Sequence, residues 1–140
     1  TDSRSIEPGQ AFLALKGDNF NGHDFIDMAI KRGAATLIVD QPVSVNSSSN
    51  IPVFLVHNTL ETYQQLGHWW RNQFTIPVIA ITGSVGKTTT KELIASLLAT
   101  RGKVHKTLAN YNNEIGVPKT LLELDETHDS AVIEMGMRGR

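Results

Sequence analysis

Short apolar runs alternate along the chain with stretches in which apolar residues recur every three or four positions. The runs predict buried strands, and the helical spacing predicts helices that pack on one face. This alternation is typical of α/β proteins, in which helices connect parallel strands. The predicted strands are residues 11–15, 36–39, 53–56, 78–81, 104–106 and 130–135, and the predicted helices are residues 23–32, 58–74, 88–101 and 118–122.

The apolar stripes of the two longest predicted helices indicate which faces are buried. Asn58 followed by Glu61 is the pattern of a capping box, which predicts where the first of these helices begins. Trp69 and Trp70 are adjacent, so only one of them faces the helix's inner side. The expected inner faces are Leu60, Tyr63, Leu66 and Trp70 in the first helix and Leu93, Ile94, Leu97 and Leu98 in the second.

A short polar segment that ends in Pro77 separates two α/β patterns. We predict a domain boundary near Thr75, with residues 1–75 forming a small N-terminal α/β domain. Residues 76–140 then begin a parallel-sheet domain that contains a phosphate-binding loop. The chain starts without Met and stops just after an apolar strand, so we expect it to be part of a longer protein.

Composition narrows the class of protein. The 140 residues are 40% hydrophobic and 19% charged, which is typical of a globular chain. A formal net charge of −1 argues against a nucleic-acid partner. No apolar run reaches the roughly 18 residues of a membrane-spanning helix, no signal peptide opens the chain, and there is no cysteine. We therefore expect a cytoplasmic monomer with no membrane contact.

The segment 79–90 carries the strongest chemical signal, because an apolar strand runs into glycines, a lysine and threonines, and a helical pattern follows. Gly83 and Gly86 let the backbone approach a phosphate closely, and the N–H groups of the loop and first helical turn form a cradle for an anion. The general pattern has a further glycine where this chain has Ile81. An ordinary glycine turn is the alternative, and the flanking strand and helix favour the phosphate loop.

A nucleoside triphosphate with Mg²⁺ is the ligand that this loop predicts. Lys87 would bring its charge to the β- and γ-phosphates, and the Thr88 hydroxyl would bind Mg²⁺. The predicted nucleotide-binding residues are Gly83, Ser84, Val85, Gly86, Lys87 and Thr88.

A carboxylate follows the last apolar strand. Residues 131–133 are apolar, and Glu134 comes directly after them. In nucleotide-binding sheets such an acid lies beside the phosphate loop and holds the metal directly or through water. A solvated strand end is the alternative, and the loop upstream favours the metal role. Lys87, Thr88 and Glu134 are thus the candidate catalytic residues, with Thr88 and Glu134 as the metal ligands.

Three motifs resemble the Mur ligase family and occur in the family's order. They are ITGSVGKTTTKE at 81–92, NYNNEIGVP at 110–118 and VIEMG at 132–136. Segments 1–4, 12–17 and 21–25 resemble the family's uridine-diphosphate-binding domain. Val85 departs from the family pattern, which usually has a polar residue there, and the main chain still supplies the cradle.

The resemblance implies an ATP-dependent, ADP-forming amide ligase of peptidoglycan precursor synthesis. The first two motifs are most similar to the branch that joins D-Ala-D-Ala to UDP-MurNAc-tripeptide through an acyl phosphate. By the same resemblance, Thr89 assists at the phosphates, Asn112 or Asn113 reaches the nucleotide or metal, and Ser3 and Arg4 contact the UDP part of the substrate. Further family residues would lie beyond these 140, so we expect no ligation by the chain alone.

Other functions remain open on the sequence. A ligase that adds an amino acid to a UDP-dipeptide and a folylpolyglutamate-synthase-like ligase share the phosphate loop, and NNEIGVP at 112–118 argues against both. A nucleotide-binding module without ligation chemistry is the alternative from another class.

Overall fold

The computed structural model describes residues 1–17, 20–44 and 50–137, and it confirms the α/β class. The chain divides into two compact units, Thr1–Tyr63 and Gln64–Arg140. The strands are β1 Ala11–Leu13, β2 Lys16–Gly17, β3 Phe20–Asn21, β4 Thr36–Val39, β5 Val53–Leu55, β6 Val78–Ile81, β7 Val104–Lys106 and β8 Ser130–Glu134. The α-helices are α1 Ile26–Lys31, α2 Thr59–Arg71, α3 Lys87–Leu98 and α4 Gly116–Leu122, and a 3-10 helix, Gly22–Phe25, precedes α1.

The first unit is built on a parallel sheet with the strand order β1–β4–β5. Phe12 pairs with Leu37 in this sheet, and both side chains are fully buried. Helix α1 contributes Ile26 and Ala29 to the same core. It is followed by Gly33 with φ +90°, a backbone conformation that glycine adopts without strain. The predicted strand 36–39 is confirmed to the residue.

A two-stranded antiparallel hairpin, β2–β3, was not predicted. Its strands have two residues each, so they show no apolar period. The predicted strand 11–15 ends early because the chain turns at Leu15, whose carbonyl accepts a hydrogen bond from the Gly22 N–H at 2.7 Å. A Cβ at Gly22 would lie 2.6 Å from that carbonyl oxygen, which explains why glycine stands there.

The second unit contains a parallel sheet with the order β6–β8–β7. All five residues of the middle strand β8 are buried. Ile81 at the end of β6 is level with Glu134 at the end of β8. Because carboxyl ends of parallel strands share one edge of the sheet, this edge collects the segments that follow β6, β7 and β8.

Helix α3 covers one face of this sheet through Ile94, Ala95 and Leu98. The prediction that Leu93 and Leu97 also face inward is wrong, since they are 63% and 70% exposed. The inward-facing line runs through the buried positions 91 and 95 and the half-buried position 98, which are one and two turns apart. Residues 93 and 97 point away from that line because each position along a helix turns by about 100°.

The other face of the sheet packs against α4 and the end of α2. Trp70 lies in the cluster with Leu124 and Ile133, and its Nε1–H donates to the Leu124 carbonyl at 2.9 Å. Trp69 is 57% exposed and Trp70 is half-buried, so the prediction that only one of the pair faces the inner side of the helix is confirmed. The division between the compact units falls within α2. The domain boundary near Thr75 stays a prediction.

Candidate functional site

Two glycines shape the loop between β6 and α3. Gly83 has φ +147° and Gly86 has φ +77°, both in the region that L-residues rarely adopt. A Cβ at Gly86 would meet no atom within 4 Å, so the requirement for glycine there is conformational and not steric. Gly86 is the N-cap of α3, and the first backbone N–H groups of that helix therefore border the loop. This is the geometry that an anion cradle needs.

Lys87 folds back over this loop. Its Nζ donates a hydrogen bond to the Gly83 carbonyl at 2.8 Å, and the side chain is half-buried. The ammonium group is thus held beside the loop backbone. Ser84, Val85 and Thr89 are exposed on the loop and the first helical turn, and the exposed fraction of Val85 is 87%.

The predicted metal ligands are in direct contact with each other. The Thr88 hydroxyl donates to Glu134 Oε2 at 3.0 Å, and the Asn112 amide Nδ2 donates to Glu134 Oε1 at 2.8 Å. Glu134 is only 2% exposed. The structure therefore brings Thr88, Asn112 and Glu134 together at the carboxyl edge of the sheet, next to the phosphate loop.

The two candidate asparagines have different surroundings. Asn113 Oδ1 accepts backbone hydrogen bonds from Gly116 at 2.8 Å and Ile115 at 3.3 Å, so it caps the turn that opens α4. Asn112 reaches Glu134 instead, and its own carbonyl accepts from the Gly136 N–H at 2.7 Å. Of this pair, Asn112 is the one whose side chain joins the cluster.

Glu134 is held in its ionised form. Burial opposes ionisation and is the largest single influence, but the hydrogen bonds from Asn112 and Thr88 and the charge of Lys91 together outweigh it. The pKa of Glu134 therefore lies below its ordinary value. An ionised carboxylate is the form that binds a cation.

Lys91 also belongs to this cluster, although it was not among the site residues predicted from the sequence. Its side chain is 2% exposed, and its Nζ donates to the Thr107 carbonyl at 2.8 Å. The same Nζ lies 3.6 Å from Glu134 Oε2 and 3.5 Å from Glu92 Oε1. Thr107 is fully buried, and its hydroxyl accepts from the Glu134 N–H at 2.9 Å. Position 91 continues the apolar line of α3, which is the signal that could have identified it.

The donor set at Glu134 fits Mg²⁺. This ion prefers oxygen ligands and keeps several of its waters, so one carboxylate and one hydroxyl are a typical protein contribution. Thr88 Oγ1 and Glu134 Oε2 are such a pair. Among the described residues, no three His, Cys, Asp or Glu side chains form a metal-binding group. Other oxygen ligands would have to come from the nucleotide and from water.

A cavity of about 620 Å³ opens in the second unit beside this cluster. It shares Asn112 with the Glu134 cluster and is bounded by Gly136 after β8. The rest of its lining includes Gln64, His68, Arg71, Val117, Leu121 and Met135.

The predicted substrate residues of the first unit lie at its N-terminus. Ser3 is 6% exposed, and its hydroxyl donates to Met28 Sδ at 3.6 Å. Arg4 is exposed and binds Asp2 with two parallel hydrogen bonds of 3.0 and 2.9 Å. These bonds lower the pKa of Asp2 to about 2. Ser3 and Arg4 are neighbours in sequence, but their side chains have different partners, Met28 for Ser3 and Asp2 for Arg4. Their role in substrate binding stays a prediction.

Residues 1–70 match the Mur ligase family, catalytic domain, and residues 81–140 match the Mur ligase middle domain. Together with the phosphate loop, Glu134 and the parallel sheet, these matches define the class of protein. The chain belongs to the Mur ligase family.

The chain is similar to proteins named UDP-N-acetylmuramoyl-tripeptide–D-alanyl-D-alanine ligase from several bacteria. The chain is 57% identical to that of Synechocystis sp. over its whole length and 43% identical to that of Escherichia coli over 97% of its length. It spans only 31% and 29% of these two proteins.

Solved structures agree. MurF from Acinetobacter baumannii superposes with a TM-score of 0.91 at 43% identity, covering 98% of this chain and 30% of that one. MurF ligase from Thermotoga maritima, solved in complex with ADP, superposes with a TM-score of 0.85 at 36% identity, covering 96% of this chain and 31% of that one. Within the part of the chain that the structure describes, no helix has the length and hydrophobicity needed to cross a membrane.

Proposed function

We propose that the chain forms the substrate-binding and nucleotide-binding parts of an ATP-dependent, ADP-forming ligase that joins D-Ala-D-Ala to UDP-MurNAc-tripeptide. Residues 1–75 would bind the UDP substrate, and residues 76–140 would begin the ATP-binding domain. The observation that carries this proposal is the contact of Thr88 with Glu134 beside the loop that holds Lys87, in a chain 57% identical to such a ligase.

The proposed reaction needs an activated carboxylate, because a carboxylate is a poor electrophile. Phosphorylation of the tripeptide carboxylate at the expense of ATP makes an acyl phosphate, and the D-Ala-D-Ala amine then displaces phosphate to form the amide. Mg²⁺, when bound, would supply charge stabilisation at the transferred phosphoryl group. Thr88 and Glu134 are the residues that would hold it.

Lys87 has a defined task in this scheme. Its Nζ now contacts the Gly83 carbonyl, and a phosphate oxygen would be a stronger, charged acceptor in the same region. Exchange of one acceptor for the other would bring the ammonium to the transferred group, where it offsets developing negative charge. Thr89 and the backbone of Ser84 and Val85 complete the proposed cradle.

The UDP end of the substrate would meet Ser3 and Arg4. The Arg4 guanidinium is already arranged as a two-bond fork towards Asp2. A diphosphate offers the same planar pairing, so Arg4 could exchange Asp2 for the substrate. Because Arg4 and Asp2 are both exposed, this exchange would require little desolvation.

A chimeric enzyme tests the proposal. The matching segment of the Synechocystis ligase, 57% identical, is replaced by this chain, and phosphate release is measured. We expect release only when UDP-MurNAc-tripeptide and D-Ala-D-Ala are both present. A chimera carrying Lys87→Ala is the control and should fold but not release phosphate.

Two outcomes would contradict the proposal. Turnover with a UDP-dipeptide and a single amino acid would favour the other ligase branch. A chimera that binds ATP and UDP-MurNAc-tripeptide but never forms amide would favour a nucleotide-binding module. The chain alone is expected to give no amide product. We also propose a cytoplasmic location, because ATP and UDP-linked substrates are cytoplasmic metabolites. A monomeric state is a separate part of the proposal.

A further inference from the structure

We propose that Lys91 is an internal counter-ion that keeps free divalent cations away from Glu134, so that Mg²⁺ enters this site only together with the nucleotide. The inference rests on the proposed function, because it takes Glu134 as the ligand of the nucleotide's metal. The inference assigns a role to Lys91, which is not part of the phosphate-loop pattern. It also makes binding of Mg²⁺ depend on binding of the nucleotide.

Lys91 is a fixed charge, not a mobile surface lysine. Its side chain is 2% exposed, and the Thr107 carbonyl anchors its Nζ at 2.8 Å. Thr107 is itself tied to β8 through the Glu134 N–H. Because a backbone carbonyl holds the ammonium group, the cation stays in place when the Glu134 carboxylate moves.

The carboxylate is already satisfied without a metal. Glu134 Oε1 accepts from Asn112, Oε2 accepts from Thr88, and Lys91 Nζ lies 3.6 Å from Oε2. A divalent cation arriving alone would have to displace the Thr88 donor and would stand next to a buried positive charge. Repulsion between such charges is strong where little water screens it.

A nucleotide reverses this balance. A triphosphate brings several negative charges and oxygen ligands to the loop beside α3. These negative charges offset the positive charges of the metal ion and of Lys91. The exposed partner of Lys91, Glu92, does not remove the repulsion, because it is itself bonded to Lys106 and is half-exposed to solvent. A purely structural Lys91 would affect folding but not the order in which metal and nucleotide bind.

The test measures binding of Mn²⁺, a spectroscopic substitute for Mg²⁺, to the 140-residue chain at pH 8 without nucleotide. Paramagnetic resonance of the free ion gives the dissociation constant. We expect Lys91→Met, which keeps the side-chain volume and removes the charge, to bind free Mn²⁺ at least about tenfold tighter than wild type. Adding Glu134→Gln to this variant should abolish the gain.

Lys119→Met is the matched control, because Lys119 is an exposed lysine of the same unit that pairs with Glu123 on α4. It should leave Mn²⁺ binding unchanged. Circular dichroism and thermal melting verify that each variant is folded. Lys91→Gln, which retains a donor for the Thr107 carbonyl, provides the same comparison if Lys91→Met does not fold.

The proposal is overturned if both uncharged Lys91 variants bind free Mn²⁺ no tighter than wild type, or if wild type binds it equally well with and without ATP. Failure of the proposed function gives a different result. In that case neither wild type nor any variant binds ATP in the presence of Mn²⁺. The affinities of Lys91→Met and wild type for the free ion can still be measured and compared.

Discussion

Gly116→Ala is expected to destabilise the second unit and to break the hydrogen bond between Asn112 and Glu134. Gly116 is the first residue of α4, and a Cβ there would lie 2.4 Å from the Tyr111 carbonyl carbon and 2.5 Å from Tyr111 Cα. Ordinary contacts of a Cβ begin near 3.4 Å. The atoms in the way are backbone, so no rotamer change can relieve the clash.

The size of the effect follows from this geometry. The loop at Tyr111 must retreat by about 1 Å, the difference between 3.4 and 2.4 Å, and Asn112 moves with it. Overpacking costs about 1–3 kcal/mol, and loss of the Asn112 bond to the Glu134 carboxylate adds about 1.5–3 kcal/mol. The higher helix propensity of alanine returns up to about 1 kcal/mol. The net loss in unfolding free energy is therefore about 1.5–6 kcal/mol.

Urea unfolding followed by tryptophan fluorescence measures this loss, because Trp70 packs against the core of the same unit. Gly67→Ala is the matched control, since its Cβ would lie 3.1 Å from Pro118 Cα and the helix gain offsets that milder contact. We expect Gly67→Ala to stay within about 1 kcal/mol of wild type. Wild-type stability for Gly116→Ala, or an equal loss for both variants, would refute the reasoning.

Three further changes test separate parts of the structure. Lys87→Ala should abolish binding of ATP by the chain and leave binding of the UDP substrate intact, as measured by calorimetry; loss of both would contradict separate sites. The lowered pKa of Glu134 stabilises the fold above the ordinary glutamate pKa, and this contribution is lost as pH falls through the lowered value. The difference in unfolding free energy between wild type and Glu134→Gln should thus be largest near neutral pH and shrink in acid; a pH-independent difference would argue against it. Trp70→Phe should cost about 1–3 kcal/mol because it leaves the Leu124 carbonyl without its donor, whereas the exposed Trp69→Phe should be neutral.

Much of the fold could be predicted because its signals are local. The strands at 36–39 and 78–81 agree with the prediction to the residue, since each is a short apolar or β-branched run. The strand predicted near 104–106 is also found there, although its sequence is Val-His-Lys. The contact of Thr88 with Glu134 was also predictable. Parallel strands place their carboxyl ends at one edge, so a strand that ends in an acid brings it to the loop.

The remaining features depend on contacts between distant segments. The sequence places Lys91 on the apolar line of α3, but the groups that its charge meets are contributed by the ends of β7 and β8. Leu93 and Leu97 have the composition of an inner face, and only the direction of α3 over the sheet shows that they are exposed. Nothing in the sequence separates Asn112 from Asn113, because which amide points to Glu134 is decided by the turn at Tyr111.

The order β6–β8–β7 has a consequence for how the second unit is made on the ribosome. Strands β6 and β7 each pair with β8 and not with each other, and β8 is the last of the three to be synthesised. Until residues 130–134 emerge, the two earlier strands lack the neighbour that completes their hydrogen bonds, and their apolar faces depend on local helices for cover. The nucleotide site is therefore assembled only after β8 has been synthesised, since Glu134 is itself the final residue of that strand. A nascent chain halted before Ser130 would carry the complete phosphate loop without the sheet that holds it in place.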